Sequence, residues 1–263
     1  MRIIVCESAE DVALKAAVES IEYLGEALSA TNPEATCVLG LATGSTPLGL
    51  YREWIERNRA GEISFRNATS FNLDEYCGIP ASDPQSYHTF MHENLFRHID
   101  IDPAKTFIPV TDGDDLTQSA ERYEAMIEEA GGIDLQILGI GSDGHIGFNE
   151  PGSSFSSPTR VKTLTKRTRE DNARFFPSID HVPRTALTMG LGTIMSARAI
   201  LLLATGKGKA KAIRDTVEGP ITAMVPASIL QFHPYATVIL DAAAASELSL
   251  IDYYVDAERN RQR

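Results

Sequence analysis

The chain has 263 residues, of which 43% are hydrophobic and 23% charged, a composition typical of a globular protein with a substantial buried core. Its net charge of −12 disfavours nonspecific binding to nucleic acids or anionic membranes. Cys6, Cys37 and Cys77 are widely spaced, which indicates reduced thiols rather than a disulfide framework. The N-terminal segment turns acidic at Glu7, too early for a signal peptide, and the longest apolar run is too short to cross a bilayer. We therefore expect a cytoplasmic globular protein.

Short apolar segments alternate with helical patterns along the chain. Helices are predicted to begin near Ser8, after Pro47 and near Ser86, and an amphipathic helix is predicted at 116–129. Strands are predicted at 2–6, 37–42, 68–73, 106–110, 133–138, 186–189, 200–204 and 237–240. This alternation predicts one α/β domain, 1–263, with a largely parallel, doubly wound (Rossmann-like) sheet flanked by helices.

The glycines that follow the predicted strand 133–138 admit two interpretations. Gly139, Gly141 and Gly144 have the spacing of a dinucleotide-binding fingerprint, which requires a helix to follow. Pro151 and the Gly147/Asn149 pair argue against that helix. A dinucleotide site is therefore not favoured.

The same segment carries Asp143, His145 and Glu150 within eight residues. In an α/β sheet, ligands bind beyond the carboxyl ends of the strands. A histidine oriented by a carboxylate can transfer protons there near neutral pH. The alternative is a structural turn with a hydrogen-bonded histidine.

The loop that follows the predicted strand 37–42 is Thr43-Gly44-Ser45-Thr46-Pro47. Its position before a helix provides free N–H groups and the positive end of the helix dipole, which favour an anion such as phosphate. The alternative is a simple helix cap.

Two further groups stay open on the residues alone. Asp74 directly follows strand 68–73 and is either a solvated turn residue or a base acting on a substrate carbon. The basic residues that include Arg174 and Lys209 are either a solvated face or phosphate ligands. His88 and His92 share a helix face, but no third ligand is evident and we expect no metal there.

Two motifs resemble those of the glucosamine-6-phosphate deaminase (isomerase) family. Residues 71–76, FNLDEY, are similar to its F-N-[ML]-D-E-Y segment. Residues 141–151, GSDGHIGFNEP, are similar to its G-x-D-G-H-I-[AG]-F-N-E-P signature, which is long and has few free positions. The resemblance extends along essentially the whole chain.

The resemblance implies a hydrolase of amino sugar (N-acetylglucosamine) degradation that converts glucosamine 6-phosphate and water into fructose 6-phosphate and ammonia. Asp74 would carry the proton between C2 and C1, while His145, held by Asp143 and Glu150, would open the sugar ring. The substrate phosphate would be bound by Thr43, Gly44, Ser45, Thr46, Arg174 and Lys209. No metal or cofactor is implied, because the carbonyl of the sugar is the electron sink.

Regulated members of this family are hexamers activated by N-acetylglucosamine 6-phosphate bound between subunits. The residues that resemble that allosteric site are Ser153, Ser154, Arg160, Lys162 and Tyr253. Pro158 and Asp252 depart from the regulated pattern. The resemblance therefore implies a homo-oligomer and leaves activation open.

Two rival functions remain. A 6-phosphogluconolactonase-like hydrolase would share the phosphate pocket and a similar glycine-rich segment, but it would need no enolisation. A non-catalytic sugar-phosphate sensor would keep the pocket without its chemistry. Asp74 favours the deaminase over the lactonase, and the joint presence of Asp74, Asp143, His145 and Glu150 argues against the sensor.

Overall fold

The computed structural model describes residues 1–29, 32, 34–113 and 115–261. Ten strands are found in these residues: β1 (Arg2–Cys6), β2 (Cys37–Leu41), β3 (Ala68–Asn72), β4 (Asp74–Tyr76), β5 (Thr106–Phe107), β6 (Leu135–Leu138), β7 (Arg160–Thr163), β8 (Thr185–Thr188), β9 (Ala199–Ala204) and β10 (Ala236–Asp241). Seven of them form a parallel sheet in the order β1-β10-β9-β6-β2-β3-β5. The predicted α/β fold with a largely parallel sheet is confirmed.

Helices cover both faces of this sheet. They are α1 (Ala9–Leu24), α2 (Leu48–Arg59), α3 (Tyr87–Asn94), α4 (Leu116–Glu129), α5 (Lys166–Asn172), α6 (Leu191–Met195), α7 (Ala210–Val217) and α8 (Ile251–Arg261). Buried side chains of α1 and α2 contribute to one hydrophobic core, and those of α4, α6 and α7 contribute to the other. The described part of the chain contains no helix long and apolar enough to cross a membrane.

Strand β9 shows why the sheet is buried on both faces. All six of its residues are buried. Ile200, Leu202 and Ala204 belong to one core, whereas Leu201 and Leu203 belong to the other. A continuous apolar run is the pattern expected of a central parallel strand, because successive side chains point to opposite faces.

Helix α1 begins where the sequence predicts. The Ser8 hydroxyl accepts a hydrogen bond from the Asp11 N–H at 3.1 Å, and Asp11 Oδ2 accepts one from the Ser8 N–H at 3.1 Å. This reciprocal pair is a capping box, which satisfies donors that the helix itself leaves free. The α-helical part ends at Leu24, and the residues Gly25–Leu28 continue as a short 3-10 helix.

The strand order of the parallel sheet reverses between β2 and β6. From β2 the sheet continues outward through β3 to β5, whereas from β6 it continues through β9 to β10 and β1. The loops that follow β2 and β6 therefore flank a topological switch point, where open α/β sheets bind ligands.

The segment predicted as strand 186–189 does not belong to the parallel sheet. It forms β8, the centre of a separate antiparallel sheet in the order β4-β8-β7. The prediction of a single sheet was incomplete, because a short apolar run does not reveal which strand it pairs with. The predicted strand 106–110 is also shorter, with only Thr106–Phe107 in the sheet.

Candidate active site

A cavity of about 490 Å³ opens at the carboxyl ends of the parallel strands. The loops that follow β2, β3, β6 and β9 line it, together with the segment that carries α5. Predicted site residues that line this cavity are Thr43, Gly44, Ser45, Thr46, Asp74, His145, Arg174 and Lys209. Segments distant in sequence thus meet in one cavity.

Asp143 and Glu150 both lie close to His145, but only His145 lines the cavity. His145 Nδ1 is 2.7 Å from Asp143 Oδ1 and 3.8 Å from Glu150 Oε2. Burial alone would raise the pKa of Asp143, but its hydrogen bonds with His145 and the charge of that ring lower the pKa to about 2. Asp143 is therefore ionised near neutral pH and can only accept, so in the neutral form of the ring Nδ1 carries the hydrogen and Nε2 has the free lone pair.

Glu150 is held by the segment before α5. Its side chain is 2% exposed, and Oε1 accepts a hydrogen bond from the Thr165 N–H at 2.9 Å. The Thr165 hydroxyl lies 3.4 Å from Oε2 and caps α5 at the Thr168 N–H. Glu150 thus connects the histidine to the helix that borders the cavity.

Gly141 leaves room for the His145 ring because it has no side chain. A Cβ atom at Gly141 would lie 2.2 Å from His145 Cε1, so the ring packs directly against this glycine. The Gly141 N–H also donates to the His145 carbonyl oxygen at 2.9 Å. The loop forms turns and a bridge between Ile146 and Asn149 instead of a helix, which agrees with the argument against a dinucleotide fingerprint.

Asp143, His145 and Glu150 are also the residues most suited to hold a cation in the described part of the chain. They offer ligand atoms within 4.8 Å of one another. However, Nδ1 of His145 makes a hydrogen bond to Asp143, and Glu150 already accepts from Thr165. This arrangement suits proton transfer better than metal coordination, which needs lone pairs converging on one ion.

Asp74 lies in β4 and is 5% exposed. Burial raises the pKa of its carboxyl to about 8, and the negative charge of Glu75 acts in the same direction. The nearby Thr188 hydroxyl and Phe148 N–H act in the opposite direction and lower the pKa. A buried carboxyl of this kind is a competent base and acid near neutral pH.

Its neighbour Glu75 has a different task. The Glu75 carboxylate accepts backbone hydrogen bonds from Tyr76 at 2.8 Å, Tyr87 at 2.9 Å and His88 at 2.9 Å. Two of these donors are the first residues of α3. Glu75 therefore fixes the start of α3, which places Tyr87 beside the cavity.

The predicted phosphate ligands all line the cavity. Thr43–Thr46 precede α2, with Gly44 at φ 92°, and Lys209 directly precedes α7. Burial lowers the pKa of Lys209, and the nearby Arg174 acts in the same direction, while Asp171 opposes it. Two helix N-termini and two cations produce a positive region that suits a phosphate group.

An aromatic wall completes the cavity and was not predicted. Ring centroids of Tyr76 lie 4.8 Å from Tyr87, 5.5 Å from Phe148 and 5.7 Å from Phe176. The Tyr76 hydroxyl accepts a hydrogen bond from Asn172 Nδ2 at 3.0 Å. Tyr76 and Phe148 each belong to one of the two recognised motifs. Membership in these motifs was the only feature of the sequence that pointed to this wall.

The residues of the candidate allosteric site are not brought together within one chain. Arg160 and Lys162 lie on β7, and the Ser153 hydroxyl donates to the Glu150 carbonyl oxygen at 2.6 Å. Ser154 is exposed beside them. Tyr253, on α8, lines a different cavity with Arg2, Ala199 and Ala236, the first residues of their strands. Tyr253 therefore lies at the opposite end of the sheet.

Comparisons with known proteins agree with this geometry. The sequence profile of the family described as glucosamine-6-phosphate isomerases/6-phosphogluconolactonase matches residues 7–239. The glucosamine-6-phosphate deaminase of Marinomonas sp. (strain MWYL1) is 53% identical over 266 residues, which cover 100% of this chain and 97% of the relative.

Solved structures with a similar fold include a deaminase and a lactonase. A monomeric glucosamine-6-phosphate deaminase has a TM-score of 0.89 and 47% identity, covering 94% of this chain and 100% of that one. The 6-phosphogluconolactonase from Leishmania guyanensis, at 20% identity and a TM-score of 0.72, covers 93% of this chain and 97% of its own, and shares the fold alone. On the profile match and the full-length identity, the chain belongs to the glucosamine-6-phosphate isomerase/6-phosphogluconolactonase family.

Proposed function

We propose that this protein is a glucosamine-6-phosphate deaminase, which converts glucosamine 6-phosphate and water into fructose 6-phosphate and ammonia. One observation carries the proposal. A single cavity holds two separate proton-transfer groups, the buried carboxyl of Asp74 and the imidazole of His145 paired with Asp143. Isomerisation with deamination needs two such groups, because ring opening and proton transfer at carbon are distinct steps.

In this proposal, His145 catalyses ring opening. Its Nε2 atom accepts the proton of the anomeric hydroxyl, and the resulting imidazolium supplies a proton to the ring oxygen as the C1–O5 bond breaks. The hydrogen bond from Nδ1 to Asp143 Oδ1, at 2.7 Å, fixes the tautomer and stabilises the imidazolium. Glu150, 3.8 Å from the same nitrogen, adds negative charge on that side.

In the same proposal, Asp74 transfers the proton between C2 and C1. The carboxylate removes the C2 proton of the open-chain amino aldose, and the ammonium group on C2 gives a proton to O1, which yields an enolamine with a hydroxyl on C1. Asp74 then returns its proton to C1, which leaves a protonated imine at C2. Water hydrolyses this imine to the C2 ketone and ammonia. The raised pKa of Asp74, about 8, suits a group that must both accept and return a proton.

The phosphate holds the substrate between these two groups. Thr43–Thr46 and Lys209 line the same cavity as Asp74 and His145. A phosphate bound at a helix N-terminus fixes the sugar without taking part in the chemistry. The same anchoring would serve a 6-phosphogluconolactone.

Lactone hydrolysis is the second candidate, because the family profile covers both activities. It needs only one proton-transfer group and gives no role to Asp74. An assay of the purified protein with each substrate separates the two. We expect ammonia and fructose 6-phosphate in equal amounts from glucosamine 6-phosphate; lactone hydrolysis without ammonia release would overturn the proposal.

We also propose that the candidate allosteric residues form an anion site completed by a second copy of the chain. Arg160 and Lys162 are partly buried on one strand, and within the described residues neither has a carboxylate within ion-pair distance. Burial lowers the pKa of both, and Arg160 further lowers that of Lys162, while the charge of Glu150 opposes this. Adjacent cations of this kind favour a phosphate ligand.

Because Tyr253 lies at the other end of the sheet, only another subunit could bring it to this group. Light scattering, with ammonia release measured with and without N-acetylglucosamine 6-phosphate, tests the proposal. A homo-oligomer with activation that is lost in Arg160→Gln supports it. A monomer that the ligand does not activate contradicts it. One related deaminase of known structure is described as monomeric.

We propose a cytoplasmic location. All three cysteines are free, Cys37 is buried, and burial raises the pKa of its thiol to about 12, which makes it unreactive. Fractionation of cells that produce the protein tests this location.

A further inference from the structure

Thr188 occupies the centre of the small antiparallel sheet. On β8 it pairs with Asp74 of β4 on one side and with Arg160 of β7 on the other. It has no exposed surface. A buried hydroxyl directly opposite a buried carboxyl is placed to interact with it, since paired residues of adjacent strands lie on the same face.

The hydroxyl of Thr188 is held on two sides. Its Oγ1 atom accepts a hydrogen bond from the Phe148 N–H at 3.0 Å. Because a hydroxyl has one hydrogen to donate, this acceptance leaves the hydrogen free to point elsewhere. The Met189 carbonyl oxygen is a distant acceptor, at 3.4 Å from the hydroxyl. The Asp74 carboxyl is the other acceptor on offer, and the Thr188 hydroxyl lowers the pKa of that carboxyl.

Gly147 makes this approach possible. A Cβ atom there would lie 3.0 Å from Thr188 Oγ1 and 3.3 Å from Asp74 Oδ2, so both side chains use the space that a larger residue would fill. Gly147 has φ 54°, a conformation that favours glycine. The signature loop, which carries His145, thus also supports the Asp74 site.

We propose that Thr188 is a positioning residue whose hydroxyl donates to the carboxylate of Asp74, holding it in the orientation and charge state that accepts a proton from substrate carbon. The inference rests on the proposed function in assigning the acceptor role to Asp74. Neither of the two recognised motifs contains Thr188, and it reaches the reaction only through Asp74.

Other charged and titratable groups lie near Asp74 or Thr188. They are Glu75 and Tyr76 on its own strand, Tyr87 from α3, Tyr123 from α4, Arg160 from β7, and His145, Arg174 and Lys209 around the cavity. Burial raises the pKa of the three tyrosines, which keeps them neutral near pH 7. A change confined to Thr188 leaves all these groups in place, so a shift in the titration of Asp74 reports the lost hydroxyl.

The test titrates Asp74 directly. Protein labelled with ¹³C at the aspartate carboxyl carbon gives the Asp74 signal by NMR, assigned by its loss in Asp74→Asn. In Thr188→Val, which keeps the shape but not the donor, we expect the midpoint to rise by about one pH unit. The acid limb of kcat/KM for ammonia release should move upward by the same amount. Thr188→Ser keeps a hydroxyl and should restore both values.

Controls separate the possible failures. Thr185→Val, on the same strand but outside the cavity lining, should leave the Asp74 midpoint unchanged. An unchanged midpoint in folded Thr188→Val overturns the inference; if that variant does not fold, Thr188→Ala, which also lacks the donor, is titrated with the same criterion. If the parent protein releases no ammonia, the proposed function fails, while the NMR midpoint still decides the role of Thr188.

Discussion

His145 Nδ1 lies 2.7 Å from Asp143 Oδ1, with the carboxylate behind the ring and the cavity in front of it. Because the ionised carboxylate accepts the Nδ1 hydrogen, Nε2 is the acceptor in the neutral form of the ring. The pair therefore orients one basic nitrogen toward the cavity. Its partner group, Asp74, reaches the same cavity from a different sheet.

Loss of the Asp143 carboxylate should disable ring opening. In Asp143→Asn the amide no longer fixes the tautomer or stabilises the imidazolium, so we expect kcat/KM for ammonia release to fall by about 10²-fold or more. Steady-state kinetics check this. Asp180→Asn, an exposed residue, is the control and should be near normal. Equal activity in the two variants would refute the orienting role.

Gly141 should tolerate no side chain. In Gly141→Ala the new Cβ would lie 2.2 Å from His145 Cε1, so the ring must move. Moving the ring to relieve this contact is expected to lower kcat by about 10²-fold. The circular dichroism spectrum, which reports secondary structure, should stay unchanged. Gly113→Ala, where the nearest contact is Ser119 Oγ at 3.8 Å, is the matched control. A fully active Gly141→Ala protein would show that the ring position is not critical.

Lys209 should contribute to phosphate binding rather than to chemistry. We expect Lys209→Met to raise KM for glucosamine 6-phosphate by about 10- to 100-fold, because a charge-assisted hydrogen bond is lost. The variant should lose little activity toward unphosphorylated glucosamine. Lys207→Met, on the same turn but outside the cavity lining, is the control. A similar loss with both substrates would contradict the assignment.

Asp74 should make the protein less stable as the pH rises. Its pKa is raised from an ordinary value of 3.8 to about 8, so between these values the folded state keeps a proton that the unfolded chain has released. The free energy of unfolding therefore falls with rising pH across this window and is independent of this group above it. Asparagine cannot ionise, so the stability of Asp74→Asn relative to the parent should grow through the same window.

Urea denaturation at several pH values measures this difference. The exposed variant Asp180→Asn provides the comparison and should show no such trend. A difference between Asp74→Asn and the parent that does not change with pH would mean that Asp74 titrates normally in the folded protein.

Local patterns in the sequence predict most of the parallel sheet. The apolar run of β9 and the Ser8 cap of α1 are formed by neighbouring residues, so both are visible in the sequence. The pairing of β8 with β4 joins Asp74 to Thr188, which are more than 100 positions apart, and no periodicity reveals this pairing or that of β8 with β7.

The site was predictable to a similar extent. Its ionisable groups stand in two recognisable motifs, and the structure brings Asp74 and His145 to one cavity. The task of Glu75 was not apparent, because a carboxylate that accepts three backbone hydrogen bonds resembles any other acid in the sequence. Likewise, only the fold shows that Tyr87 faces the cavity.

The central claim is that Asp74 transfers the proton at carbon, and ammonia release by Asp74→Asn tests it most directly. We expect turnover of glucosamine 6-phosphate to fall by about 10²- to 10⁴-fold, while calorimetry shows that the sugar phosphate still binds. Near-normal ammonia release by the variant, at the same occupancy as the parent, would contradict the account.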